Sequence, residues 1–438
     1  TGGLAKKDIA TDLIFEKAGI LVFRHEGELT QAAVAFASQP IPKGNRVGII
    51  TNTGGPAVIA TDVLVNAGLE IPPLSERAKE FLKERLFPEA AVGNPTDVLA
   101  TAKPEHFRAA MDVMMDEEQI DSIFVNFVTP FYVDTVGIAK EIAEVSKQRR
   151  KPIVCNLMTD RRQWTEVVRI LKDGDVPNYS LPGVAAGALA ALVRYTEIRS
   201  RDIGEARQFD DVDRDRAAGI LQRAKDAGRE FLTAMEAYEL LTAYGVPVVG
   251  WRVAGNASEA ENAAAEIGFP VVVKADSESI VHKSDMGGVA INLQDGKSVR
   301  STVEEMESIF KSGDLRFFVQ QYLPGGKEVI VGAKAEKELG HLVMFGIGGI
   351  YVEILKDVVF KIAPVTTVEA QEMFSSLKMT PLLEGVRGET GVDQQSITEI
   401  IERISQLVTE LPMIQELDLN PVVAFEDGAS VVDARISI

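Results

Sequence analysis

Lys274 and His282 lie on either side of a polar loop in FPVVVKADSESIVHKSDMGGVAINL, the stretch from Phe269 to Leu293. An apolar run ending in Lys274 reads as a buried strand that delivers a cation to its carboxyl edge. A polar loop, Gly287-Gly288 and a second strand beginning at Val289 follow. Glycines let backbone N–H groups approach phosphate oxygens closely, and a lysine adds a point charge, so the stretch suits a polyphosphate. Such a cradle has no need of an imidazole, which is neutral near pH 7 and nucleophilic at nitrogen. His282 is therefore read as a residue that accepts and passes on a phosphoryl group. Taken alone, His-Lys-Ser-Asp would serve equally well as a solvated polar turn, and a glycine pair between strands is ordinary turn chemistry. Company elsewhere in the chain shifts the balance.

Three further signals fall in the same half. The strand FFVQQYL, carrying Gln320 and Gln321, ends beside Gly325-Gly326 and Glu328, where an adenine-edge acceptor and a ribose acceptor could sit. Asp418 and Asn420 alternate in ELDLNP, so their side chains point the same way along a strand. Asp433 on the next strand can face them across a hairpin. Acidic and amide oxygens gathered in this way suit Mg²⁺, a hard cation that keeps several waters and bridges phosphates. Arg387 in GVRGE and Lys361 in FKIAPV are further cations that could hold phosphate charge, or equally be surface residues.

The elements that must position these residues follow from the alternation of patterns. At 438 residues the chain is long enough for two to three domains. An apolar fraction of 46% beside 25% charged residues describes packed globular domains. A net charge of −19 argues against nucleic acid or an anionic membrane surface as partner, so phosphate must be held by local placement of Lys and N–H groups. The single cysteine, Cys155, lies in the apolar run PIVCNLM and reads as a buried thiol, in keeping with a reducing cytoplasm. The longest apolar run, near Val184–Val193, is too short to span a bilayer.

Along the chain, DIATDLIFEKAGI and the apolar LVF after it read as one αβ unit, closed by Pro40-Ile41-Pro42. RVGIIT, Arg46–Thr51, is a β-branched strand. Asn52-Thr53-Gly54-Gly55 then forms a loop, with Pro56 as first helical residue, so bare N–H groups stand at a helix N-terminus as an anion site. Asp121–Val128 and Pro152–Met158 are further strands, with helical patterns at His106–Met115 and Thr135–Lys147 between them. This alternation means a doubly wound parallel sheet whose ligands gather at the carboxyl ends of its strands. A helix near Gly183–Arg199 closes it, and the charge-dense Ser200–Asp215 reads as an exposed linker. Beyond it, a capping box at Thr233–Glu236, a second at Ser258–Glu261, and strands mixed with helices indicate an α+β layout.

Together these motifs resemble a known family. Lys274, HKSDxGGV, KEVIVG, FGIGG, EILKD, GVRG and ELDLNP…VVDARI look like the ATP-grasp half of the NDP-forming acyl-CoA synthetases, relatives of succinyl-CoA synthetase. GNRVGIITNTGGPAVIATD and NPTDVL resemble the ligase-CoA domain of that family, and TGGLA resembles the continuation of its Ser-His-Thr-Gly-x-Leu-Ala motif. The resemblance implies the end of a succinyl-CoA-synthetase-like flavodoxin-type domain over 1–42. It implies a flavodoxin-like ligase-CoA domain over 43–199, a linker over 200–215 and an ATP-grasp domain over 216–438.

The same resemblance implies a mechanism. An acyl-CoA and phosphate give an acyl phosphate, whose phosphoryl group passes through histidines to ADP, with the reverse making acyl-CoA from ATP. His282 is then the second carrier, Asp418 the acidic residue beside it, and Asn420 and Asp433 the Mg²⁺ holders. Lys274 and Glu328 match nucleotide contacts, and Gly54 and Gly55 after Asn52 would receive the shuttling phosphohistidine. ATP or ADP, Mg²⁺ and CoA are the implied cofactors, with phosphate and a small carboxylic acid as reactants and a homo-oligomer as the assembly. The first phosphorylated histidine of the family would precede Thr1, and the CoA-binding Rossmann domain is expected in cis or in trans. One departure is AKAEKELGHLVMFG, with Glu336, Lys337 and His341 where relatives carry a short Asp-Pro and Phe-Gly-Pro pattern. A rival reading is a synthetase-like regulatory module of a protein lysine acetyltransferase. Another, an ATP-grasp carboxylate–amine ligase, leaves the middle domain and His282 without a role.

Overall fold

The structure, a computed structural model, describes residues 7–158, 165–277, 287–311, 313–337, 339–349, 357–386 and 388–438. His282 and Arg387 therefore lie outside the described residues. The chain forms two compact units, one of Ala18–Arg201 and one in which Asp202–Ile438 is joined by the first helix, α1 (Lys7–Lys17). The stretch 1–42, read as one piece, is thus divided after Lys17. Leu21–Phe23 forms no strand.

The unit 18–201 begins with α2 (Glu26–Ser38), β1 (Val47–Thr51), α3 (Gly54–Asn66), α4 (Glu76–Lys83) and β2 (Thr96–Asp97). It continues through α5 (Pro104–Asp116), β3 (Ser122–Val128), α6 (Thr135–Ser146) and β4 (Ile153–Met158). It ends with α7 (Thr165–Asp173), β5 (Asn178–Tyr179) and α8 (Pro182–Ser200). All pairings are parallel, in the order β2-β1-β3-β4-β5, the doubly wound order expected of a flavodoxin-like sheet. Side-chain alternation divides the core. Ile49, Phe124 and Val154 pack under α2, α3 and α8, while Ile50, Val125 and Cys155 pack against α4 to α7. Strands apolar on both faces are what a sheet covered on both sides requires.

The second unit adds α9 (Arg214–Asp226), α10 (Ala234–Ala243), β6 (Trp251–Ala254), α11 (Ala257–Ile267), β7 (Val271–Asp276) and β8 (Val289–Leu293). Next come α12 (Gly296–Ile309), β9 (Arg316–Gln321), β10 (Lys327–Glu336), β11 (Gly340–Ile347) and β12 (Val358–Ile362). Last are α13 (Thr367–Ser375), α14 (Thr380–Glu384), α15 (Gln394–Glu410), β13 (Glu416–Phe425), β14 (Gly428–Val431) and β15 (Ala434–Ser437). Two antiparallel sheets result, β6-β9-β7-β8 and β12-β11-β10-β13 with both β14 and β15 on β13. The small sheet buries Val271, Val273, Phe317 and Val319 against α11 and α12. The large sheet buries Val329, Val331, Leu417 and Leu419 against α9, α10, α13 and α15.

Several local expectations change. Helix α11 is capped by Asn256, whose side chain accepts from the Glu259 N–H, and not by Ser258. Segment 202–213 has no regular structure but is not a free linker. Phe209 is buried beneath the Arg403 guanidinium, 4.0 Å from the ring centroid, and its main chain exchanges hydrogen bonds with Gln406. Arg403 also pairs with Asp211 at 3.0 Å. Lys361, a candidate phosphate cation, instead contacts Glu16 of α1 and Glu372 of α13, both at 3.0 Å. Beside it Lys17 donates to the carbonyls of Ile362 and Pro364 at 2.8 and 2.6 Å and to Glu369. Two lysines therefore fasten α1 to the large sheet.

Candidate functional site

In the second unit the site forms where the small sheet faces the break between β14 and β15. Lys274 on β7 points away from the α11–α12 core, on the face it shares with Phe318 and Gln320. Its ammonium donates to Asp433 Oδ1 at 2.5 Å and to the Val432 carbonyl at 3.3 Å. The Lys274 side chain is 14% exposed and that of Asp433 57%, so the cation is walled in while the carboxylate opens to solvent. The Val432 carbonyl also accepts from Gln320 Nε2 at 3.0 Å and from the Tyr238 hydroxyl at 2.6 Å. Burial pushes the Tyr238 phenol far up, with the Asp433 charge adding to it, so the hydroxyl stays a donor. Trp251 stacks on Phe318 at 5.3 Å between centroids, and Tyr238 meets Phe318 edge-on at 4.9 Å.

Asp433 does not lie within a strand, as the hairpin reading had it, but in the break before Ala434. Its carbonyl accepts from the Asn420 N–H at 3.2 Å, which sets the two residues opposite each other. The ladder between β10 and β13 slips by one residue between the pairs Val329–Val422 and Val331–Leu419. The extra residue falls at Asn420-Pro421, where proline has no N–H to give the ladder. Asp418 is half-buried and Asn420 exposed on the face opposite the buried Leu417 and Leu419. A carboxylate and an amide oxygen with an open solvent side fit Mg²⁺, which takes few protein ligands and keeps its waters. Among the described residues no three His, Cys, Asp or Glu cluster as a metal cage.

The other expected contacts divide. Gln320 is fully buried and spends its amide on Val432 and, at 3.2 Å, on Tyr238, so it positions the site instead of facing a base. Gln321 is exposed, its N–H bonded to the Gly250 carbonyl. Glu328 is exposed on β10, with the Gly348-Gly349 turn crossing its main chain. The Gly348 N–H donates to the Glu328 carbonyl at 2.8 Å, and a Cβ there would come within 2.9 Å of the Glu328 main chain. Gly287 has φ +76, a conformation that only glycine adopts cheaply, and the Gly288 carbonyl accepts from Ala275 on β7 at 2.8 Å. A hollow of about 540 Å³ lies along β6, lined by Met235, Thr242, Val249, Trp251 and Arg252 among others. None of the expected contacts line it.

In the unit 18–201 the expected anion site falls at the start of α3. Helix α3 begins at Gly54, so Pro56 is its third residue and not its first. Thr53 gives no side-chain cap and the first turn holds no acid. By contrast α4, α6, α9 to α13 and α15 are each capped by their own Ser, Thr, Asn or Asp. Gly54 and Gly55 are exposed, and a Cβ at either would meet nothing within 4 Å. Asn52 is not a free contact. Its amide brackets Val128, accepting from the N–H and donating to the carbonyl, both at 2.9 Å. A cavity of about 260 Å³ beside α3 is lined by Thr51, Gly54, Ala57, Thr61, Pro95 and Asp97 among others.

One feature here escaped the sequence reading. Thr51, Asn126 and Asn156 occupy one register row across β1, β3 and β4. Asn126 donates to Thr51 Oγ1 at 2.8 Å and Asn156 to the Tyr179 carbonyl at 2.9 Å. Both asparagines are fully buried, and neither Oδ1 has a hydrogen-bond partner among the described residues. The signal was a lone asparagine inside each apolar run, FVNFV and VCNLM.

The model of the Ligase-CoA domain matches residues 47–200 and that of the ATP-grasp domain residues 223–438. The chain is 35% identical over 446 residues to a 4-hydroxybutyrate–CoA ligase (ADP-forming) of Nitrosopumilus maritimus. It is 33% identical over 440 residues to acetate–CoA ligase (ADP-forming) I of Archaeoglobus fulgidus. Each alignment takes in 100% of this chain but 63% of the relative. The chain therefore spans under two thirds of the length of these curated relatives. The beta subunit of acetate–CoA ligase (ADP-forming) I of Pyrococcus furiosus is 44% identical over 226 residues, which is 50% of this chain and 97% of that subunit. A solved acetyl-coenzyme A synthetase 1 of Ca. Korarchaeum cryptofilum, in complex with coenzyme A and Ca-AMPCP, is 39% identical with a TM-score of 0.48. It covers 51% of this chain and 99% of its own. On the family models and the sequence identities, the chain belongs to the family of ADP-forming acyl-CoA ligases, with a Ligase-CoA domain followed by an ATP-grasp domain.

Proposed function

We propose that this chain is the nucleotide-binding and phosphoryl-transfer part of an NDP-forming acyl-CoA synthetase, which interconverts acyl-CoA, ADP and phosphate with a carboxylic acid, CoA and ATP. The observation that carries the reading is the convergence of Lys274, Asp433 and Asn420 from two sheets on one exposed edge. Lys274 lies against the phosphates, Glu328 and Gln321 line the nucleoside end, and Asp433 and Asn420 hold Mg²⁺. The metal, when bound, neutralises phosphate charge and orients the group being transferred. A histidine nitrogen attacks the γ-phosphorus of ATP, the bond to ADP breaks, and the phosphohistidine then passes its phosphoryl group to the carboxylate. CoA thiolate displaces phosphate from the acyl phosphate. His282 is the proposed carrier at the nucleotide end, with Asp418 beside it and Arg387 as a further phosphate cation. The N–H groups of Gly54 and Gly55 would receive a phosphohistidine by charge and helix dipole.

The proposal includes a CoA-binding domain in cis or in trans, a homo-oligomeric assembly and a cytoplasmic location. Relatives named as alpha and beta subunits of acetate–CoA ligases favour a division of labour between segments. Among the described residues no helix is long and apolar enough to cross a membrane. The relatives reported above are ligases, which favours this reading over a regulatory module of an acetyltransferase. Incubation with γ-labelled ATP and Mg²⁺ tests it. Alkali-stable, acid-labile label that disappears in His282→Ala is the expected result. Label that persists in that variant would remove His282 from the pathway.

A further inference from the structure

Lys274 has two neighbours, one that competes with a phosphate and one that does not. Asp433 Oδ1, at 2.5 Å, is an anion on the cation that a nucleotide would need. The Val432 carbonyl, at 3.3 Å, is neutral and is held in place by Tyr238 and Gln320 whether or not Lys274 stays. The Lys274 side chain is largely enclosed, with its ammonium already on the Asp433 carboxylate. A free nucleotide would thus bring phosphate charge against the Asp433 carboxylate for a cation already neutralised. Asp433 has an escape on its exposed side, and Asn420, whose main-chain N–H donates to the Asp433 carbonyl, is exposed there as well. A divalent cation accepted there would draw the carboxylate off Lys274 and leave the ammonium on Val432, aimed for phosphate.

We infer that the Lys274–Asp433 ion pair is a partner-exchange latch, through which this site takes a nucleotide only together with its divalent cation. Tyr238 and Gln320 are its positioning residues, because they fix the carbonyl that keeps Lys274 in place when Asp433 leaves. The inference rests on the nucleotide reading above. It adds that the metal acts on the protein's own lysine as well as on the phosphates.

The test is calorimetric binding of ADP to the full chain, once in Mg²⁺ and once in EDTA. The wild-type chain is expected to bind at least about tenfold more weakly in EDTA, as loss of one charge-assisted contact implies. In Asp433→Asn, ADP in EDTA should bind about tenfold more tightly than in wild type, and ADP in Mg²⁺ more weakly, so that the metal dependence collapses. Asp433→Ser serves if that variant fails to fold, and thermal melting checks both. Asp427→Asn makes the same change in net charge on the exposed turn after β13 and should leave the ratio unchanged. A gain in EDTA by Asp427→Asn equal to that of Asp433→Asn would overturn the latch in favour of net charge. So would Mg²⁺-dependent binding in wild type with no gain in Asp433→Asn, and in that case the nucleotide reading would survive. Absence of ADP binding under both conditions would overturn the nucleotide reading itself.

Discussion

The two candidate sites are made of opposite materials. At the start of α3 an anion would meet main-chain N–H groups of Gly54 and Gly55, with no charged side chain in the first turn. At the edge of the small sheet it would meet Lys274, already paired with Asp433 and braced through Val432. A main-chain site keeps its donors in place because the helix holds them, and it has no counter-charge to displace. A side-chain site is stronger and more selective, but its charges must be neutralised until the ligand arrives. Under the proposed function, that difference would suit a group passed between two stations, one weakly polarised and one that discriminates.

The comparison can be broken at Lys274. Lys274→Met should weaken Mg²⁺–ADP binding by about 100-fold by calorimetry, the scale of a charge-assisted hydrogen bond in an enclosed site. A loss within about twofold would mean that the side-chain site lies elsewhere. Next in size is the ion pair that braces α10 below Tyr238. Arg229 bonds both oxygens of Glu236 at 2.6 and 2.7 Å, and Glu236 also closes the capping box with Thr233. Arg229→Ala should lower stability by about 2 kcal/mol, read by chemical denaturation. Burial alone would raise the Glu236 carboxyl, but Arg229 and Thr233 hold it below its usual range. Its contribution is therefore present above the unfolded carboxylate pKa and is lost as pH falls through the lower folded value. The stability difference between wild type and Arg229→Ala should accordingly shrink in acid.

The main-chain site gives smaller effects. Gly55→Ala adds a Cβ into open space, so stabilisation of the chain by inorganic phosphate should change by less than about 1 °C in Tm. Gly55→Asp puts a carboxylate on the donors and should abolish that stabilisation while leaving the helix intact, or favoured by about 0.5 kcal/mol through the dipole. If Gly55→Ala removed the phosphate effect as fully as Gly55→Asp, glycine itself and not the open main chain would be what matters. The smallest effect expected is none. Burial pushes the Cys155 thiol up to about 12, so native protein at pH 8 should resist alkylation until the unit 18–201 unfolds. Cys155 then reports on that unit alone while the melt of Arg229→Ala reports on the other.

Much of this was legible. The strand–glycine–helix order around β1 and α3 follows from β-branched residues, then Gly54-Gly55, then a helical pattern, and each local choice agrees with the parallel sheet. Lys274 at the polar end of an apolar strand, and Asp418 and Asn420 alternating before Pro421, place themselves by periodicity alone. What escaped was the assignment of partners. Asn52 and Gln320 have the chemistry of ligand contacts, yet Val128 in one case and Val432 with Tyr238 in the other take up their amides. Lys361 has the chemistry of a phosphate cation, yet Glu16, from a helix far away in the chain, takes it.

The sequence by itself determined the residue types at the two stations and the elements that carry them, because periodicity, caps and glycines act over a few neighbouring residues. Tertiary structure alone decided which polar groups remain available. It set α1 on the large sheet through Lys17 and Lys361, placed Asp433 in a strand break beside Lys274, and lined up Asn126 with Asn156. Such pairings join residues from 30 to 345 positions apart, and no local pattern encodes which of two chemically equal partners the fold brings together.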